Sequence, residues 1–210
     1  METPDQPDEP LARALTGART TVQGRSTERQ RAMVDAAARL LVEQGFGAVT
    51  HRQVARAAGL PPGSASYYFP TSASLVAAAV EAAEDLRATA AQAHADGLPR
   101  RARSSAATAR ELIETLYAPH VDDTVVDVRL DPMITAMRDP ALRPIMRASR
   151  PRLLAALRTV LDASGYEDVE EVDLLGHVID AALVAAAAED DGKVLDHGAA
   201  TVARLLDRWR

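Results

Sequence analysis

The sequence predicts an all-α protein, and three observations carry that expectation. Alanine dominates a chain of 210 residues that holds only 11 glycines and 3% aromatics, and alanine gives up least on entering a helix. Apolar residues recur three and four positions apart, the period of a helix with one buried face. Ser or Thr precedes many of these stretches and Gly or Pro follows them, as helix caps and stops require. About nine helices and no strand are expected.

Residues 1–24 hold three prolines and no sustained period, so a disordered tail is expected there, with Arg13 and Arg19 as its basic residues. From Ser26 or Thr27 a first helix carries Met33, Ala37, Leu40 and Leu41 on one face and stops at Gln44 and Gly45. Thr50 caps a short second helix with Val54, Ala55 and Ala58 inward, and Gly59 ends it. Leu60, Pro61, Pro62 and Gly63 connect to a very short third helix ending at Tyr68. Two short helices across a Gly-containing turn spell helix-turn-helix. Thr71 or Ser72 opens a long fourth helix, with Leu75, Val76, Ala79, Val80, Ala83 and Leu86 in periodic register, running to about His94. Three organisational units follow: the tail, a small head over residues 25–70, and a larger helical region over residues 71–210.

In that larger region, Ser104 or Ser105 starts a fifth helix through Leu112, Ile113, Leu116 and Tyr117, stopped by Pro119. Residues 121–165 read as two more helices meeting at Asp139 and Pro140, with Pro132, Pro144 and Pro151 expected to kink or interrupt them. Gly165 closes this stretch. A helix from Glu167 to about Ala188 and a last one from Val194 to Arg210 complete the chain.

Composition excludes several functions. The chain lacks cysteine, which removes disulfides, thiolate metal sites and thiol nucleophiles. The N-terminus METPDQPDEP has no apolar core, and the longest apolar run, residues 181–188, is far shorter than a bilayer span of about 20 residues; a cytoplasmic protein that keeps no company with membranes is expected. The net charge of −6 argues against a polyanion partner only when taken whole. Residues 25–70 reverse the sign, with Arg25, Arg29, Arg31, Arg39, Arg52 and Arg56 against Glu28, Asp35 and Glu43.

The marks in this basic segment keep a particular order and spacing. They are Leu40, Leu41, Gly45 and Phe46; then Val49, Thr50, Arg52, Val54, Ala55, Ala58, Gly59 and Leu60; then Gly63, Ser64, Tyr67, Tyr68 and Phe69; then Leu75. The stretch from Arg29 to Leu75 resembles the DNA-binding domain of the TetR family of bacterial repressors. The resemblance implies that the third helix enters the major groove while the second crosses the backbone. DNA contacts are then expected from Thr50, His51, Arg52, Gly63, Ser64, Ser66, Tyr67, Tyr68, Thr71 and Ser72. Thr50 and His51 sit at a helix N-terminus that favours a phosphate, with Arg52 beside them for phosphate or a guanine edge. Gly63 allows close approach, the serines are short donors or acceptors, and the tyrosine hydroxyls reach phosphates. Phe69 reads as core. The sequence departs from the family pattern at Ser66, commonly Tyr, and at Ser72, commonly Lys, which thins the phosphate clamp.

The resemblance further implies that the region after Leu75 binds a small-molecule effector and forms a homodimer that reads a palindromic double-stranded operator, most simply as a repressor released by the effector. Leu175, Ile179, Ala182 and Ala186 on one helix and Val202, Leu205, Leu206 and Trp209 on the next are expected to pack across a two-fold axis. A pocket is expected among helices four to eight, near Tyr117, His120, Met133, Met137, Met146 and His177. So few aromatics suit an organic cation poorly and favour a neutral or acyl-type ligand. Neither a catalytic set, a resident cofactor nor a metal site is expected. The rival readings are a helical adaptor that has lost operator binding and, from another class, a metal-dependent enzyme using the stripe Glu170, Asp173, His177 and Asp180. That stripe reads more simply as a solvated face.

Overall fold

Helix boundaries fall where cap chemistry puts them. In the computed structural model the backbone is described for residues 9–119, 121–189 and 191–209, and side chains within those ranges from residue 26 onward. Nine α-helices and no strand occur among the described residues: α1 (Glu9–Gln44), α2 (His51–Ala57), α3 (Ser64–Tyr68), α4 (Ser72–Asp96), α5 (Ser105–Tyr117), α6 (Asp131–Arg138), α7 (Arg143–Ser164), α8 (Val172–Ala187) and α9 (Val194–Leu206). A 3-10 turn at Phe46–Ala48 and a π-helical turn at Val126–Leu130 join them. Thr50 accepts the Gln53 N–H, Ser104 accepts the Ala107 N–H, and Thr71 and Ser74 form a reciprocal capping box. Gly45, Gly59 and Gly165 hold positive φ at or just beyond helix ends, where a side chain would strain the backbone.

Three expectations need correction. The disordered tail was expected over residues 1–24, but α1 begins at Glu9. Pro10 tolerates the first helical turn, and Leu11, Ala12, Ala14 and Leu15 are good helix formers. Residues 1–8, and with them the rest of that expectation, lie outside the described residues. Secondly, the prolines interrupt less than expected. Pro132 and Pro144 occupy first-turn positions, and Pro151 sits inside an unbroken α7 on its exposed side, where water can take up the carbonyl its ring leaves free. Thirdly, Leu86 is half exposed, while Glu84 and Arg87 take the buried positions of that turn.

Two cores share α4. Met33, Leu41, Val54, Ala65, Phe69, Leu75, Ala79 and Val80 build the first, which closes the three-helix head. It extends into the larger region through Ala136, Leu142 and Met146, so the head is clamped by α6 and the start of α7 as well as by α4. The second core packs α5, α7, α8 and α9 around Leu112, Leu157, Leu161, Leu175, Ile179 and Leu206. Met133 touches both cores. With α1 on one side and α7 on the other, α4 is the element through which the two halves meet. Arg103 fixes the loop before α5: its guanidinium donates to the Ala163 carbonyl at 2.9 Å and to the Pro99 carbonyl at 3.0 Å, a cation placed against the negative end of α7.

Candidate nucleic-acid interface and sensor site

The head presents α2 and α3 as an exposed polar face whose geometry is fixed from behind. Gly63 precedes α3 at φ 90°, so glycine is favoured there by backbone conformation. Tyr67 is 80% exposed. Arg52, Gln53, Arg56 and Ser66 are exposed beside it, and Thr71 and Ser72 are exposed at the start of α4. Ser64 is half-buried. Two residues expected at DNA also make contacts inside the head. His51 is half-buried and its Nε2 donates to the Phe69 carbonyl at 2.7 Å, tying α2 to the end of α3. Tyr68 is half-buried, with its hydroxyl 3.1 Å from Ser26 Oγ on α1. Its ring meets Tyr67 edge to face, centroids 5.0 Å apart. Thr50 remains exposed, but its oxygen is engaged by Gln53. The outward residues the sequence reading missed are Gln53 and Arg56; exposed polar positions on α2 follow from the inward assignment of Val54 and Ala55.

The expected pocket residues do not assemble. Met133 and Met146 do share the wall of a small cavity of about 10 Å³, with Leu41, Phe46, Glu84, Arg87 and Arg129. Met137 is half exposed, and His177 lies on the outer surface of α8, because each falls on the solvent side of its helix. His120 lies outside the described residues. Tyr117 is buried in the second core, against which Met133 also packs, and donates to Asp180. Burial, then the Asp180 charge, push the Tyr117 phenol well above its ordinary range.

A buried ionic seam occupies the place where the pocket was expected. Glu84 accepts from Arg87 at 2.8 Å and from Ser149 at 2.7 Å, and Arg129 approaches it at 3.3 Å. Burial alone would raise the Glu84 carboxyl, but Arg129, Arg87 and Ser149 outweigh it and hold the group below its ordinary value. Burial and repulsion from Arg129 bring Arg87 down to about 10, so it stays charged at neutral pH. Asp180 is pushed up by burial despite Tyr117 and Arg150.

The dimer expectation also needs correction. Leu175, Ile179, Ala182, Ala186, Val202 and Leu206 are buried within the chain's own second core, and Leu205 and Trp209 pack against it. A side chain already covered by α5 and α7 cannot cover a partner. The face of α8 left open carries Leu174, Val178, Ala181, Val184 and Ala185, with Leu174 and Val184 each 46% exposed. The stripe weighed as a metal or enzyme site is split: Glu170, Asp173 and His177 face solvent, and Asp180 turns inward. Among the described residues His94, Glu111 and Glu114, all half-buried, bring ligand atoms within 4.8 Å of one another.

Comparison with known proteins follows the same division of the chain. Residues 33–79 match the model for bacterial regulatory proteins of the tetR family, and residues 100–209 match the tetracyclin repressor-like C-terminal domain. No curated protein matches. Among solved structures, the multidrug binding protein EbrR complexed with proflavin is 27% identical, with 87% of this chain and 99% of that chain covered at a TM-score of 0.61. The TetR-family protein SCO1917 from Streptomyces coelicolor A3 is 28% identical, covering 87% and 98% at 0.54. A regulator from Saccharomonospora viridis in complex with choline, 17% identical with 86% and 96% covered at 0.60, shares the fold.

Proposed function

The chain belongs to the TetR family of bacterial regulatory proteins, and from that premise we propose that it is a repressor that leaves a palindromic operator when a small molecule binds its larger domain. The observation that carries the reading is the head's outer face. Arg52, Gln53, Ser66 and Tyr67 stand exposed, while His51 and Tyr68, on the same two helices, are tied to the head's interior. A face held rigid from behind and polar in front is what groove recognition needs.

Two heads come from two copies. The open apolar face of α8, centred on Leu174, Ala181 and Val184, supports a two-fold contact in place of the seam expected from sequence. Half-sites must match a helical repeat of roughly 34 Å. The head core reaches into α6 and α7 through Ala136, Leu142 and Met146, so a ligand that moves these helices changes the spacing of the heads. Effector and DNA then oppose each other through reciprocal linkage. EbrR was solved with proflavin and with ethidium, which supports a small-molecule role for this domain.

Retention of duplex DNA by the whole chain, measured across salt, tests the reading. Binding at about 50 mM salt that weakens as salt rises is expected, with a slope of about 0.9 per phosphate contact. Replacing Arg52 by Ala lowers affinity and, if Arg52 meets phosphate, reduces the slope by about one. A chain that fails to retain even nonspecific duplex at low salt contradicts the reading and leaves an adaptor that kept the fold.

A further inference from the structure

The buried seam carries more positive charge than it neutralises, and the excess borders a cavity. Glu84 is satisfied by Arg87, Arg129 and Ser149. Arg129 is not: only 6% exposed, it lines the small cavity while its Nε has no hydrogen-bond partner. Around this point stand two guanidiniums and one carboxylate. A third guanidinium, Arg150, also has a buried nitrogen without a partner, and it shares with Arg129 the other buried carboxylate near the seam, Asp180, so that among the described residues of the seam three guanidiniums face two carboxylates. An unpaired buried donor on a cation is costly, and an incoming acceptor of negative charge relieves it.

The rest of the cavity wall is apolar and soft: Leu41, Phe46, Val80, Met133, Ala136 and Met146. At about 10 Å³ it holds roughly one water-sized group. Beyond Arg87, however, lies an open groove of about 800 Å³ between α1 and α4, and Arg87 lines both spaces. Val34, Val42, Leu86, Ala90 and Pro119 give that groove an apolar floor, and the half-exposed Leu86 is part of it. The charges along its sides balance, with Arg31, Arg39 and Arg87 against Asp35, Glu43 and Asp85, so its mouth neither attracts nor repels an ion strongly. A volume of this size suits a drug-sized ligand.

We propose that the effector is an amphiphilic carboxylate: its head group pairs with Arg129 and Arg87 at the buried seam, and its apolar body lies in the groove between α1 and α4. This rests on the reading of the chain as a ligand-responsive regulator and names the ligand class for it. It sets the protein apart from EbrR, solved with the dyes proflavin, ethidium and malachite green, because here the buried carboxylate at the cavity, Glu84, is already saturated. Occupying the groove separates α1, which belongs to the reading head, from α4, and so acts on the head directly.

Calorimetry and thermal melting of the full chain with decanoate, decanol and decyltrimethylammonium, each below its micelle concentration, test the proposal. Decanoate should bind at least about tenfold more tightly than either of the others, the worth of one charge-assisted hydrogen bond, and should raise the melting temperature. Arg129→Gln should bring decanoate down to the level of decanol. Ala90→Trp, on a partly exposed groove position, should block all binding while the melting temperature without ligand stays put; it carries the test if Arg129→Gln fails to fold. Equal binding of decanol, tighter binding of the cation, or unchanged binding in Ala90→Trp overturns the proposal. Duplex retention is measured separately on the same preparation without ligand. Retained DNA with no decanoate binding sinks this inference alone, whereas lost DNA binding sinks the regulator reading and leaves the decanoate result to stand on its own.

Discussion

Replacing Glu84 by Gln tests whether the seam between the two cores is held by charge. The carboxylate is 2% exposed and lies 2.8 Å from the Arg87 guanidinium, 3.3 Å from that of Arg129 and 2.7 Å from Ser149 Oγ. Glutamine keeps the shape and one acceptor but leaves two buried guanidiniums facing an amide that is itself half donor. Removing one partner of a buried pair costs about 3 to 5 kcal/mol. For a chain of this length that corresponds to a fall in melting temperature of roughly 6 to 20 °C. The pH dependence gives an internal check. Because the Glu84 carboxyl is held below its ordinary value of 4.5, its contribution is complete above that value and is lost as pH falls through the lower, folded-state value. Wild type and Glu84→Gln, melted by circular dichroism between neutral and acidic pH, should therefore differ most near neutrality and converge as pH falls below 4.5 and through the lower, folded-state value. A variant that melts within about 2 °C of wild type at pH 7 would refute the reasoning, since it would mean that water or a rearranged Arg129 replaces the carboxylate at no cost.

Further predictions concern the head, its hinge and the partner face. Tyr67→Ala should lower duplex affinity roughly tenfold without changing the melting temperature, whereas Tyr68→Ala should lower the melting temperature because it removes a half-buried ring and the contact with Ser26; fluorescence anisotropy and thermal melting separate the two, and the reverse pattern would exchange their roles. Thr71→Ala removes the capping box of α4 and should cost about 1 kcal/mol, read as a lower urea midpoint with an unchanged slope. Leu174→Glu, on the open face of α8, should shift the protein from dimer to monomer in sedimentation with its helicity intact, and an unchanged sedimentation coefficient would place the contact elsewhere.

Local chemistry made most of the fold legible. Thr50, Thr71 and Ser104 announced their helices because a cap needs only its own neighbours, and Gly45, Gly59 and Gly165 marked stops for the same reason. What the sequence hid depends on which of two plausible faces meets the rest of the chain. On α8 both Leu175 and Leu174 are apolar, and periodicity cannot say which is covered by α5 and which is left open. On α4 the apolar period put Leu86 inward, whereas the structure exposes it and buries Glu84, whose partners Arg129 and Ser149 arrive from distant segments. The bracing contacts of His51 and Tyr68 were not legible because braces and ligands use the same polar atoms, and the positions of Phe69 and Ser26 are set by the fold. The groove between α1 and α4 joins residues about forty or more positions apart in sequence, and no local pattern signals it.

The central claim, a paired reader of DNA, is tested most directly by selecting bound fragments from randomised duplex DNA with the full chain at about 50 mM salt, where the electrostatic contribution is large. The account predicts enrichment of an inverted repeat of roughly 15 to 20 base pairs, its half-sites about one helical turn apart. Fragments recovered without enrichment, or a single unpaired half-site, would contradict it.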